Sequence, residues 1–212
     1  MAKTRAFDEH ARAYDDWFAE HASLYESELA AVRSLLPTTG KGIEIGVGSG
    51  RFAGPLGIAA GVEPSPAMRA IAAERGIEAI DGVAEKLPIE PETYDYVLFV
   101  TTLCFLDSLA QAFGEAFRIL KPAGSVVIGF IEKDSPLGII YQQRKRKSRF
   151  YSEASFHTAD EVVQVLESAG FTGFSFVQTL FSSEDETGGV QAVKQGHGEG
   201  AFVVVRAKKP EY

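Results

Sequence analysis

The stretch Glu44-Ile45-Gly46-Val47-Gly48-Ser49-Gly50 decides how the rest of this sequence is read. It grows out of a short apolar run, Ile43–Ile45, and leads into Arg51–Leu56, which reads as a helix opening. Such a strand-to-helix turn rich in glycine lets the backbone adopt dihedrals closed to other residues and lets a ligand approach the main chain closely. The helix start beyond it offers unpaired N–H groups. Three alternating glycines behind an acid exceed what a bare turn needs, so the loop is read as a ligand cradle. Gly48, Gly50 and Ala53 also satisfy the dinucleotide pattern G-x-G-x-x-A. Glu63, which ends the next strand, fits the ribose hydroxyls of any adenosine ligand and does not separate the candidates. Glu44 helps more: a carboxylate just before the loop opposes a pyrophosphate and suits an ammonium or sulfonium.

Working outward, the sequence alternates strand and helix. Residues 7–36 read as a helix, with Tyr25, Leu29, Val32 and Leu36 on one face and Pro37 ending it. Gly61–Glu63, Ile77–Ile80, Tyr94–Val100 and Ser125–Ile131 read as strands after Ile43–Ile45. Helices are expected at Ser65–Arg75, with Pro66 in the first turn, and at 109–120, where Leu109, Ala112, Phe113, Ala116, Phe117 and Leu120 share a face. Thr158-Ala159-Asp160-Glu161 has the capping-box pattern of a late helix that ends at Gly170. Two further strands, Thr172–Phe181 and Ala201–Ala207, flank a polar, glycine-rich segment with no crossover helix, so they should pair antiparallel. The expected fold is α/β, a mostly parallel sheet with helices on both faces, closed by an antiparallel hairpin.

The chain has 212 residues, 45% hydrophobic and 24% charged, which suits one globular α/β domain. Twenty-one basic against 29 acidic residues leave a net charge of −8, which disfavours general nucleic-acid binding. The single Cys104 makes no internal disulfide and points to a reducing, cytoplasmic setting. No apolar run approaches membrane-spanning length, and residues 1–18 lack a signal-peptide core. His10, His21 and His197 have no spacing to Cys, Asp or Glu that makes a metal site, so no metal is expected.

The assembled motifs resemble the class I S-adenosylmethionine-dependent methyltransferases, in their small-molecule branch with an E/D-x-G-x-G-x-G loop. Glu44–Gly50 match the first motif, Gly61–Met68 the segment with the ribose-binding acid, and Gly82–Pro88 the "G-D-A-E-x-L-P" stretch. Tyr94–Val97 match "F-D-x-V", Glu115–Gly124 match "E-x-x-R-x-L-K-P-G-G", and Leu166–Phe171 match "L-x-x-A-G-F". Phe7-Asp8, Tyr14-Asp15 and Trp17-Phe18 resemble the N-terminal lid helix of this branch. The resemblance implies a Rossmann-like sheet of seven strands, the last one antiparallel. It divides a single domain, 1–212, into a helical lid (1–37), a cofactor-binding core (38–170) with an acceptor-side insertion near 133–157, and a C-terminal hairpin (171–212). It also implies S-adenosylmethionine as cofactor and S-adenosylhomocysteine as product. In that reading Glu44, Gly46, Gly48 and Gly50 form the loop against the methionine part, and Glu63 binds the ribose. Met68, Ala84 and Glu85 lie about the adenine, Thr101 sits near the sulfonium, and Tyr14 covers the cofactor. Val83 stands where relatives often carry an adenine-binding Asp, and Ala123 stands where they carry a turn glycine.

Methyl transfer chiefly demands alignment of an activated donor with its acceptor, so no catalytic residue is assigned. The acceptor is expected to be a small molecule. The run Arg144-Lys145-Arg146-Lys147-Ser148-Arg149 is either a solvated helix face or a rim for an acidic acceptor. Trp17, one turn from Tyr14, either covers the cofactor or packs in the core, and His157 and Cys104 read more simply as packing residues. Two alternatives stand beside the methyltransferase. One is a nicotinamide-dependent oxidoreductase of the short-chain type, from the Tyr141-x3-Lys145 pair and the G-x-G-x-x-A match. The other is a non-catalytic module that only binds the cofactor.

Overall fold

The structure, a computed structural model, describes residues 3–182 and 188–211. The chain runs α1 (Arg5–Glu20), α2 (Ala22–Leu35), β1 (Gly42–Ile45), α3 (Ala53–Leu56), β2 (Ala60–Val62), α4 (Pro66–Glu74), β3 (Glu78–Ile80) and β4 (Tyr94–Val100). It continues with α5 (Leu109–Ile119), β5 (Leu120–Ile131), α6 (Pro136–Arg144), α7 (Ala159–Ser168), β6 (Thr172–Thr179), β7 (Lys194–Gln195) and β8 (Phe202–Lys208).

The strands form one sheet in the order β3-β2-β1-β4-β5-β8-β6-β7. β1 to β5 are mutually parallel, and β8 enters antiparallel between β5 and β6. The Rossmann-like α/β architecture and the antiparallel pairing of the last two long strands are as expected. The expected count of seven strands is corrected to eight among the described residues. The extra strand, β7, is two residues long and pairs Lys194 and Gln195 with Gln178 and Val177. Two polar residues carry no alternation for a sequence reading to detect.

Period-two burial ties the sheet to helices on both faces. Val97 and Phe99 of β4 and Val203, Val205 and Ala207 of β8 pack with Phe113, Ala116, Val162 and Leu166 of α5 and α7. Their neighbours Tyr96, Leu98, Val100, Phe202 and Val204 pack on the other face with Phe18, Ala31 and Val32 of the first two helices. Thr158 and Glu161 make the expected capping box at α7, each side chain bonded to the other's backbone N–H.

Two helix expectations are corrected. Residues 7–36 do not form one helix: the chain breaks at His21 (φ −119°, ψ 46°), and α1 is kinked at His10. The His21 ring stacks on Trp17 at 4.5 Å, and its backbone N–H donates to the Trp17 carbonyl, closing α1 without glycine or proline. The helix after the glycine loop is a single turn, Ala53–Leu56, stopped by Gly57 in the left-handed conformation at φ +74°. Ala123, in the position of the family's turn glycine, takes φ +62° and carries the strain a glycine would avoid.

Candidate functional site

The order β3-β2-β1-β4-β5 places a crevice at the carboxyl ends of β1 and β4, where the direction of winding reverses. A cavity of about 460 Å³ opens there. Eight of the ten expected cofactor residues line it: Tyr14, Gly46, Gly48, Glu63, Met68, Ala84, Glu85 and Thr101. Two do not. Gly50 packs beneath the loop, where a Cβ would collide with Ile77. Glu44 is 2% exposed and lies off the cavity wall. Burial holds its carboxyl well above the usual range, against the opposing pull of the Ala53 backbone N–H. Its Oε2 has no hydrogen-bond partner.

The loop geometry explains the glycines. Gly46 sits at φ +70°, and a Cβ there would strike Thr102. Gly48 sits at φ +54° with nothing within 4 Å of a would-be Cβ, so its bare backbone faces open cavity. The Gly48 N–H donates to Glu63 Oε2 at 3.0 Å, and the Ser65 N–H donates to Glu63 Oε1 at 2.9 Å. Each carboxylate oxygen therefore keeps a lone pair for a ligand hydroxyl. Burial pushes the Glu63 carboxyl up, against these two bonds. Glu85 accepts from the backbone N–H groups of Asp107 and Ser108 through Oε1, and Val83 contributes an apolar wall.

Helix α1 is anchored by contacts that the sequence reading missed. Asp15 is 6% exposed and accepts from Ser49 Oγ, from both Nε and Nη2 of Arg51, and from Arg75 Nη2, at 2.7–2.8 Å. Burial alone would raise its pKa, but these donors hold it at about 2. Ser65 Oγ donates to Asp8 Oδ1 at 2.6 Å. The only sequence signal for this clamp was the seven-residue spacing of Asp8 and Asp15, two helical turns apart.

A second cavity of about 500 Å³ lies beside the first. Tyr14 and Thr101 line both. Thr101 directly follows β4 at φ +51°, an unusual conformation for a β-branched residue. Such strain is typically held in place at functional positions. The second cavity is aromatic, walled by Trp17, Phe18, Tyr141, Phe150 and Tyr151. Tyr14 packs edge-on against Phe18 and Phe150, and Tyr141 stacks on Tyr151 at 5.3 Å. Trp17 thus lines this cavity and not the first. Of the basic run, Arg144 and Lys147 reach this wall and are exposed, while Lys145 of the Tyr-x3-Lys pair does not reach it. His157 and Cys104 border a space of only about 20 Å³. Burial pushes the Cys104 thiol up to about 12, so it is inert.

Glu28 is the residue of this wall that the sequence reading passed over. It is 5% exposed, on the face of α2 that also buries Ala31 and Val32. Its signal was a charged residue within that apolar stripe, one turn after Leu24 and one before Ala31.

A methyltransferase-domain family model matches residues 43–128. A crystal structure from Thermotoga maritima, described as a SAM-dependent methyltransferase and possible histamine N-methyltransferase, is 46% identical with a TM-score of 0.94. That match covers 97% of this chain and 99% of the other. The chain belongs to the class I S-adenosylmethionine-dependent methyltransferases. An uncharacterized protein of Methanocaldococcus jannaschii is 43% identical over 96% of this chain and 98% of its own. An uncharacterized protein of Mycobacterium tuberculosis is 35% identical over 81% of this chain, which spans 61% of that relative. This methyltransferase is therefore an enzyme using S-adenosylmethionine, which sets aside both the nicotinamide reading and the purely binding one. The donor set fits that cofactor: a bare glycine backbone, a buried carboxylate with free lone pairs, and an apolar slot formed by Met68 and Ala84.

Proposed function

We propose that this methyltransferase transfers a methyl group to a small molecule held in the aromatic cavity behind Tyr14 and Thr101. The observation that carries the reading is the shared wall: two ligand-sized cavities meet at these two residues. The cofactor supplies an electrophilic methyl group on sulfur. In the reading, Gly46 and Gly48 hold its methionine part, Glu63 its ribose, and Met68, Ala84 and Glu85 surround its adenine. Tyr14 and Thr101 then fix the line of approach between acceptor and methyl, and the lid 1–37 excludes water. The insertion near 133–157 supplies the far wall of the acceptor cavity. Glu44 acts beneath the loop, bracing the start of α3, rather than as a charge facing the ligand.

Arg144 and Lys147 at the mouth favour an acceptor with an anionic group at its outer end. The description of the T. maritima relative as a possible histamine N-methyltransferase puts small amines among the acceptors to test first. A cytoplasmic setting fits a protein whose one cysteine is a free, buried thiol. Among the described residues, no helix is long and apolar enough to cross a membrane. The test is S-adenosylhomocysteine release with candidate acceptors in wild type and in Ile131→Trp, which intrudes on the second cavity and leaves the first untouched. The reading expects turnover to be lost with S-adenosylhomocysteine affinity retained. Unchanged turnover would place the acceptor elsewhere.

A further inference from the structure

We propose that Glu28 is the acceptor-recognising carboxylate of this enzyme, and that the acceptor is a primary or secondary amine seated against it inside the aromatic cavity. The proposal rests on the acceptor occupying that cavity.

Among the described residues, no hydrogen bond and no ion pair reaches the Glu28 carboxyl, although the residue is 5% exposed and lines the cavity wall. A buried carboxyl without a partner costs folding free energy that a leucine would not cost. Its surroundings are a cage of π faces: Tyr14, Trp17, Phe18, Tyr141 and Tyr151. Such faces attract an organic cation and offer little to an anion. A carboxylate at the wall of an aromatic cage is therefore the chemistry of an ammonium site, and a neutral or anionic acceptor would leave Glu28 uncompensated.

The same residue provides the proton step that an amine needs. An ammonium has no lone pair to attack with, so it must lose one proton first. Glu28 takes that proton from nitrogen. The freed lone pair then forms the new nitrogen–methyl bond as the sulfur–methyl bond breaks, leaving S-adenosylhomocysteine and the methylated ammonium. The proton that Glu28 gives up to solvent when the ammonium binds is the one proton released per turnover, and departure of the methylated ammonium leaves Glu28 protonated as at the start. Burial holds the Glu28 carboxyl at about 8, within range of an amine's own proton affinity. The other ionisable groups on this wall are the phenols of Tyr14, Tyr141 and Tyr151, all pushed up by burial, and the exposed Arg144 and Lys147 at the mouth.

The test is calorimetric binding of benzylamine, benzyl alcohol and benzoate to the full chain saturated with S-adenosylhomocysteine. Benzylamine should bind at least tenfold more tightly than either isostere. At pH 7 its binding should release close to one proton, read from buffers of different ionisation enthalpy, and its affinity should rise as pH rises from 6 to 8. In Glu28→Gln the preference and the proton release should both disappear while S-adenosylhomocysteine affinity stays within twofold. Equal binding of benzyl alcohol, or an unchanged preference in Glu28→Gln, would overturn the assignment. Ile131→Trp separates this failure from failure of the cavity reading. If Ile131→Trp blocks all three probes, the cavity stands and only the amine assignment falls. If it blocks none, the cavity reading falls too.

Discussion

Tyr14 and Thr101 stand together in the walls of both cavities, one residue from helix α1 and the other from the turn that follows β4. Both residues therefore flank the point where the proposal places methyl transfer. Tyr14→Phe keeps the ring packing and removes the hydroxyl. We expect turnover to fall by about tenfold, with S-adenosylhomocysteine affinity changed less than threefold, the size of one neutral hydrogen bond. A loss confined to cofactor affinity in calorimetry would contradict a role at this junction.

Glu63 makes two backbone bonds within the protein and faces the cavity with its remaining lone pairs. Glu63→Ala should weaken S-adenosylhomocysteine binding by about 1.5–3 kcal/mol, the range for hydrogen bonds to a charged group. Titration calorimetry checks this, and unchanged affinity would remove Glu63 from the ribose site.

The Asp15 clamp predicts an acid sensitivity. Its folded pKa, about 2, lies below its ordinary value of 3.8. The stabilisation is therefore complete above pH ~4 and is lost as pH falls toward 2, a contribution of about 2 kcal/mol by linkage. Asp15→Asn should melt earlier than wild type at pH 6, and the difference should shrink between pH 4 and pH 2. A difference that stays constant over that interval would argue against the clamp.

Glu28 predicts the opposite slope. Its folded pKa, about 8, lies above its ordinary value of 4.5. Stability is fully present below pH ~4.5 and falls as pH rises to 8, because the unfolded chain ionises first, at a cost of a few kcal/mol. Glu28→Gln should thus gain stability over wild type as pH rises from 5 to 8, measured by denaturant melts without ligand. A constant gap would mean the carboxyl is not buried as described.

Ala123 holds a left-handed conformation at φ +62°. Ala123→Gly should stabilise the fold by about 1 kcal/mol, since relief of that strain outweighs the added unfolded-state entropy. A lower melting temperature would show that the Cβ contributes packing instead.

Legibility in the sequence followed the length of each signal. Tyr94–Val100 was bounded correctly because every residue but Asp95 is aromatic or aliphatic and buried. The glycine loop marked the wall of the first cavity because Gly46 and Gly48 both take positive φ, a conformation that favours glycine. The break at His21 was not legible, since stacking on Trp17 ends α1 with no breaker residue. Glu44 was read as a charge facing the ligand because sequence order shows adjacency to the loop but not which side of the sheet a carboxyl enters. Glu28 was passed over because an acid in a helix ordinarily marks the solvent face, and only tertiary packing reveals the aromatic wall around it.

The most direct test is a crystal structure of the enzyme with S-adenosylhomocysteine and benzylamine. The account predicts the homocysteine sulfur beside Thr101 and the amine nitrogen within hydrogen-bond reach of Glu28, in the aromatic cavity. A benzylamine bound outside that cavity, or a sulfur facing away from Thr101 and Tyr14, would contradict it.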